Sequence, residues 1–260
     1  MTLSLSAGGR RYGARRDTPD HRDLGVARMA RVSALPSSVD LELWCGPVKD
    51  QGQLGACTAF AGCGMLEFLF RKYGHALANP VLSPMFLYYV ERKIDGTLAE
   101  GDCGSSGRTL VQAINRFGVC LESGDIYSPS NFEVAPTPAQ SAEAQTMRAG
   151  AYHRIGCVDD MKSCLASGYA FVVTFVVRES FETNLGADGT MPMPNKGKEL
   201  ILGAHEVLFI GYDDAKQAFK VRNSWSASWG VRGNFWFPYA AAADPEILFD
   251  AWIQHFGGPW

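Results

Sequence analysis

Four side chains stand in an order that suits covalent chemistry: Gln51, Cys57, His205 and Asn223. A thiol nucleophile needs a base to take its proton, a group to orient that base and donors for the oxyanion that forms. Cys57 follows Pro47-Val-Lys-Asp-Gln-Gly52 and opens the run Cys57–Tyr73, apolar on nearly all sides, which predicts a buried central helix ending near Gly74. A thiol in the first turn of a helix faces unpaired N–H groups and the positive end of the macrodipole, so its pKa is expected to fall.

Among five histidines, His21 lies in a polar arm, His75 follows a helix stop, His255 is near the C-terminus and His153 suits a structural role. His205, between Gly203-Ala204 and an apolar strand, is expected at a strand entrance with an accessible ring. Asn223, in Val221-Arg-Asn-Ser-Trp225, offers an amide oxygen to the far nitrogen of an imidazole. Taken singly, each has an ordinary reading as a packed thiol, a structural histidine or a turn asparagine. Their succession is what favours the chemistry.

The elements that must position these groups follow from pattern. A second helix is expected over 82–92, with Ser83 as cap and Pro84 in first position, and a third over 106–117, stopped by Gly118. Short β-branched and aromatic runs at 170–177, 206–212, 218–222 and 233–238 predict strands, with a long turn-rich loop at 184–194. Helices first and strands later make an α+β chain whose halves enclose a groove. The expected division is an arm at 1–34 and a folded unit at 35–260, with a helical lobe over about 48–130 and a β-rich lobe over about 147–255. The polar, aperiodic arm is ordered only if docked. Net charge of −3, from interspersed charges, gives no basic face for nucleic acid or anionic lipid, and no run approaches the ~20 apolar residues of a membrane span. Seven cysteines without Cys-x-x-Cys spacing argue against zinc, and Cys63, Cys120, Cys157 and Cys164 read as small buried hydrophobes.

Three motifs together resemble the papain-like (C1) cysteine peptidases. They are Pro47-Val-Lys-Asp-Gln-Gly52 with Gly55-Ala-Cys-Thr-Ala-Phe60, His205-Glu-Val-Leu-Phe-Ile-Gly-Tyr212, and Asn223-Ser-Trp-Ser-Ala-Ser-Trp-Gly230. The resemblance runs from about Leu35 to Tyr239. It implies a two-lobed α+β fold, a helical lobe and a β-barrel-like lobe with the active-site cleft between, with Cys57 as nucleophile, His205 as general acid/base, Asn223 as orienter, and Gln51 with the Cys57 N–H as oxyanion donors. It also implies Trp225 as a shield over the His–Asn bond, Trp229 on the leaving-group side, Ala204 beside the cleft, and Ser105-Ser106 as the edge that pairs with substrate. The implied reaction is peptide hydrolysis through a thioester by an endopeptidase, without cofactor or metal. The same centre also serves acyl transfer or deamidation, and a non-catalytic binding protein is the alternative from another class.

Departures from the family pattern carry expectations of their own. Leu54 stands where a half-cystine is common, so its usual disulfide with Cys103 cannot form. Thr58 replaces a tryptophan and leaves a smaller wall beside Cys57. Glu206, near the pocket for the second acyl-side residue, is either an exposed carboxylate or a selector of basic and polar side chains. The arm resembles the short leaders of bacterial members of the xylellain type, and is expected either to lie across the cleft as a pro-segment or to be a free tail. Polypeptide substrates, a monomeric state and no nucleic-acid or membrane partner are expected. With no export signal as written and the disulfide lost, a cytoplasmic location is expected, a longer secreted precursor remaining open.

Overall fold

A computed structural model describes residue 6 and residues 9–26, 34–77 and 79–256. In chain order the elements are β1 (Ala14–Arg15), β2 (Ser38–Asp40), α1 (Cys57–Tyr73), α2 (Pro84–Asp95), β3 (Ser105–Ser106), α3 (Gly107–Phe117), α4 (Pro138–Ala144), β4 (Tyr152–Arg154), α5 (Val158–Ala166), β5 (Phe171–Arg178), α6 (Glu179–Thr183), β6 (Ile201–Asp213), β7 (Ala218–Arg222), β8 (Asn234–Pro238), α7 (Tyr239–Ala242) and β9 (Leu248–Gln254).

The three expected helices form, each for a local reason. α1 is buried from Cys57 to Phe70 with few breaks, ends at Gly74 with φ of 92°, and has no side-chain cap at Ala56. Its first N–H groups therefore lack a capping partner of their own. α2 begins on Ser83, whose hydroxyl accepts the Phe86 N–H at 3.1 Å, with Pro84 in the first turn, and closes on left-handed Gly96. Ser106 caps α3 by accepting the Thr109 N–H, and Gly118 ends it at φ of 71°. A Cβ on Gly118 would lie 1.8 Å from the Ala144 carbonyl oxygen, so glycine is required there by space as well as conformation.

The sheet half is one seven-stranded antiparallel sheet in the order β4-β9-β5-β6-β7-β8, with β2 on β6. β6 is its spine, and α1 packs against it. Leu66, Phe68 and Leu69 of α1 and Val207, Phe209 and Ile210 of β6 belong to one continuous core. Burying each such side chain is worth roughly 1.5–3 kcal/mol.

Some sequence expectations need correcting. β6 begins at Ile201 rather than 206, so His205 lies inside the strand, opposite Phe175. β2, β4 and β9 lie outside the runs expected as strands, and α4 falls between the two expected lobes; Thr137 and Gln140 form its capping box. Cys157 is exposed at the start of α5, whereas Cys63, Cys120 and Cys164 are buried. All seven cysteines are free thiols, Cys103 included. Among the described residues, no helix is long and apolar enough to cross a membrane, and no cluster of ligating side chains could hold a metal.

Candidate active site

Cys57 opens α1 and is fully buried. Burial pushes its thiol up to about 12, although the N–H groups of Glu206 and Gly13, directed at the sulfur, work the other way. The lowering expected from the helix terminus is thus outweighed in this closed form, because desolvation disfavours the charged thiolate.

His205 comes from the sheet side. Its Nε2 lies 2.8 Å from Asn223 Oδ1, while Nδ1 is buried without a hydrogen-bond partner. Trp225 stacks on the ring at 4.9 Å between centroids and 26° between planes. The ring is buried rather than accessible, and burial pulls its pKa down to about 4 against the raising effect of the Asn223 bond. Gln51, also buried, accepts the Ser224 hydroxyl at 2.5 Å through Oε1 and donates from Nε2 to Leu54 O at 3.0 Å. The second amide hydrogen of Gln51 is left for another acceptor. Trp229 is half-buried and meets Trp225 edge-on at 4.9 Å.

Residues 13–15 of the arm lie between β3 and β6. β1 pairs in parallel with β3, Ala14 opposite Ser105 and Arg15 opposite Ser106, while Gly13 bridges to Ala204 on the other wall. Ser105 N–H donates to Gly13 O at 3.0 Å. Upstream, Tyr12 is buried edge-on against His205, its hydroxyl donating to Glu182, and Arg10 lies 4.2 Å over the Trp225 ring. Downstream, the Asp17 carboxylate accepts from Trp252 Nε1 at 2.7 Å and from the Arg108 N–H at 3.2 Å. Its own N–H donates to Asp250 Oδ2 at 2.8 Å. The Arg108 guanidinium forks onto Asp23 at 3.0 and 2.6 Å.

Two carboxyls close to the cleft are buried. Glu206 is not an exposed strand-end carboxylate: it accepts from Thr174 Oγ1, its Oε1 has no partner, and burial raises its pKa well above the ordinary carboxylate range. A Cβ on Gly107 would lie 3.3 Å from that Oε1, which places Glu206 beneath the end of β3. Thr58 leaves room for Glu91, to whose Oε2 its hydroxyl donates at 2.6 Å. The arm contacts Tyr12, Gly13 and Asp17, and the carboxylate of Asp102, escaped the sequence reading. Gly101-Asp-Cys-Gly-Ser-Ser106 drew attention for its cysteine and serines, although a carboxylate beside a loop glycine was the available signal.

Comparison with known proteins places this geometry. The sequence pattern of the papain family cysteine proteases matches residues 35–246. An uncharacterized peptidase C1-like protein of Acanthamoeba polyphaga mimivirus is 36% identical over 239 residues, covering 88% of this chain and 74% of the relative. The crystal structure of xylellain, a cysteine protease from Xylella fastidiosa, superposes with a TM-score of 0.86 at 30% identity, over 95% of this chain and 96% of that one. Procathepsin B from Trypanosoma congolense shares the fold, with a TM-score of 0.72 at 18% identity over 95% of this chain and 87% of that one. With the family pattern spanning most of its length and relatives of this closeness, the chain belongs to the papain family of cysteine proteases.

Proposed function

We propose that the protein is a cysteine endopeptidase held latent by its own arm. Cys57 attacks the scissile carbonyl, and the oxyanion is met by Gln51 Nε2 and the Cys57 N–H. His205 protonates the leaving amine, and the same imidazole then activates the water that hydrolyses the thioester. Asn223 orients His205, and Trp225 covers the bond between them. The observation that carries this reading is the state of the imidazole: Nε2 is engaged by Asn223 while Nδ1 is buried without a partner. A ring nitrogen kept in that state suits a base awaiting a proton from the nucleophile.

Latency follows from what occupies the cleft. Gly13 hydrogen-bonds Ser105, the edge expected to take substrate, and its own N–H points at the Cys57 sulfur. While the arm is in place, burial keeps both thiol and imidazole neutral, because an ion pair without solvent is costly. Displacement of the arm rehydrates the site and lets the thiolate–imidazolium pair form. Parallel pairing with Ser105–Ser106 is compatible with an arm that is bound but not cut.

The test uses the full chain and its Gly13→Val variant. A Cβ at position 13 would lie 2.0 Å from Gly55 O, so the variant arm cannot seat. Both forms are treated with an epoxysuccinyl thiol-protease inhibitor and assayed on fluorogenic dipeptides, with Cys57→Ala as control. Faster labelling and faster turnover in Gly13→Val are expected. Equal rates in both forms would sink latency, labelling without turnover would point to acyl transfer to another acceptor, and no labelling in either form would favour a binding protein.

A further inference from the structure

Asp102 ties the turn that leads into Cys57 to the edge where the arm now lies. Its carboxylate is 3% exposed. It accepts the Gly55 N–H through both oxygens, at 3.0 and 3.1 Å, the Tyr88 hydroxyl at 2.6 Å and the Arg11 guanidinium at 3.0 Å. The Tyr88 hydroxyl in turn accepts the Gly104 N–H at 3.0 Å, one residue before β3. A continuous path of hydrogen bonds thus runs from Gly55 through Asp102 and the side chain of α2 to Gly104. Every group facing the carboxylate is a donor, an arrangement that suits a buried anion and makes each bond charge-assisted.

What the path holds is the geometry of the turn. Gly55 lies two residues before Cys57, and the Gln51 side chain donates to Leu54 O across the same turn. A shift of the Gly55 peptide therefore moves Gln51 Nε2 and the Cys57 N–H together. Oxyanion donors act only when aimed at where the charge develops, and a misplacement of about 1 Å can cost on the order of 100-fold in rate. No covalent tie performs this task here: Leu54 cannot form a disulfide and Cys103 is a free thiol. Gly55 and Asp102 are the immediate neighbours of that pair in sequence.

We infer that Asp102 is a positioning residue, whose carboxylate fixes the Gln51–Cys57 turn against the substrate edge. This inference rests on the catalytic reading of Cys57 and Gln51. The contact with Arg11 adds that the docked arm holds the same carboxylate, so the turn and the arm share one anchor.

The experiment places Asp102→Ala, Asp102→Asn and Tyr88→Phe in the full-length Gly13→Val background, with kcat referred to titrated Cys57 thiol. Asp102→Ala is expected to lower kcat by about tenfold or more while KM stays within about twofold. Asp102→Asn should recover part of the loss, because Oδ1 alone still accepts from Tyr88 and Gly55, and Tyr88→Phe should fall between parent and Asp102→Ala. Unchanged kcat per thiol in Asp102→Ala and Tyr88→Phe would overturn the assignment; if Asp102→Ala does not fold, the other two variants decide it. Parent chains that hydrolyse no peptide would instead count against the peptidase reading. Hydrogen exchange at the Gly55 amide then decides the role of Asp102: faster exchange in the variants with α1 amides unchanged supports it, and unchanged protection at Gly55 refutes it.

Discussion

His205 and Ser224 share one acceptor, the Oδ1 of Asn223, each at 2.8 Å. A backbone N–H can only donate, so the oxygen, not the nitrogen, of the Asn223 amide faces Ser224. His205 Nε2 must then be the donor to the same oxygen, which leaves the lone pair of the neutral ring on Nδ1. The tautomer is therefore set by the Ser224 main-chain N–H. In the Gly13→Val background, Asn223→Ala should lower kcat by roughly 100-fold with a small change in KM, as loss of orientation rather than of binding requires. Asn223→Gln, which can restore the acceptor only by moving it, should recover little. Steady-state kinetics on a dipeptide substrate checks both.

Arm release should respond to the residues that bind it and not to arm residues that merely pair with each other. Tyr12 is 4% exposed, packed edge-on to His205 and tilted against Trp225, and tied to Glu182. Tyr12→Ala should accelerate inhibitor labelling of Cys57 by at least about tenfold, since each 1.4 kcal/mol of lost docking shifts the equilibrium by that factor. Arg22, whose guanidinium forks back onto Asp20 at the surface, serves as the control. Arg22→Ala should leave labelling unchanged, as an exposed local pair contributes little.

The helices were legible in the sequence because their ends are chemically marked. Ser83-Pro84, Ser106 and Gly118 act within a few residues, so their meaning needs no tertiary knowledge. Strands were harder: the added residues of β6 from Ile201 to His205 and the whole of β9 depend on partners far along the chain. Leu248-Phe-Asp-Ala-Trp-Ile-Gln254 carries a buried aspartate that breaks its apolar pattern, and that aspartate is explained only by Asp17 and Arg154. The order of Gln51, Cys57, His205 and Asn223 could be read, while their protonation could not. Part of the cover over this site is supplied by Tyr12, against His205, and by Gly13, between Ser105 and Ala204, in a segment without periodicity of its own.

Glu206 gives the stability of the protein a pH dependence whose sign is fixed. Unfolded, its carboxyl titrates near the ordinary value of about 4.3; folded, burial raises it well above that. The folded chain therefore keeps a proton that the unfolded chain releases. The stabilisation is fully present below about pH 4 and is lost as pH rises through the folded value. Glu206→Gln removes this loss while keeping shape, so its thermal midpoint should rise relative to the parent, more at pH 8 than at pH 5. An equal difference at both pH values would mean that the carboxyl does not hold its proton. In the Gly13→Val background, the same substitution should reduce any preference for basic side chains at the acyl-side pocket in a peptide library. A hydrophobic preference unchanged by it would remove Glu206 from substrate selection.

Thr58 and Glu91 make the last prediction a matter of hydrogen bonding alone. Glu91 is buried on α2, its Oε1 has no partner, and Oε2 is met by the Thr58 hydroxyl. Thr58→Val keeps the side-chain volume and removes that donor, leaving the carboxyl without either contact. A buried group so orphaned costs about 1–3 kcal/mol, and for a chain of this size each kcal/mol shifts the midpoint by about 2–4 °C. Thr58→Ser, which keeps the hydroxyl, should cost less than Thr58→Val despite losing a methyl group. In Thr58→Val, Glu91→Gln should add little further destabilisation, because the interaction it would disturb is already gone. Calorimetry on the parent, Thr58→Val, Glu91→Gln and the double variant closes the cycle, and a Thr58→Val protein as stable as its parent would show that this hydroxyl is not what satisfies Glu91.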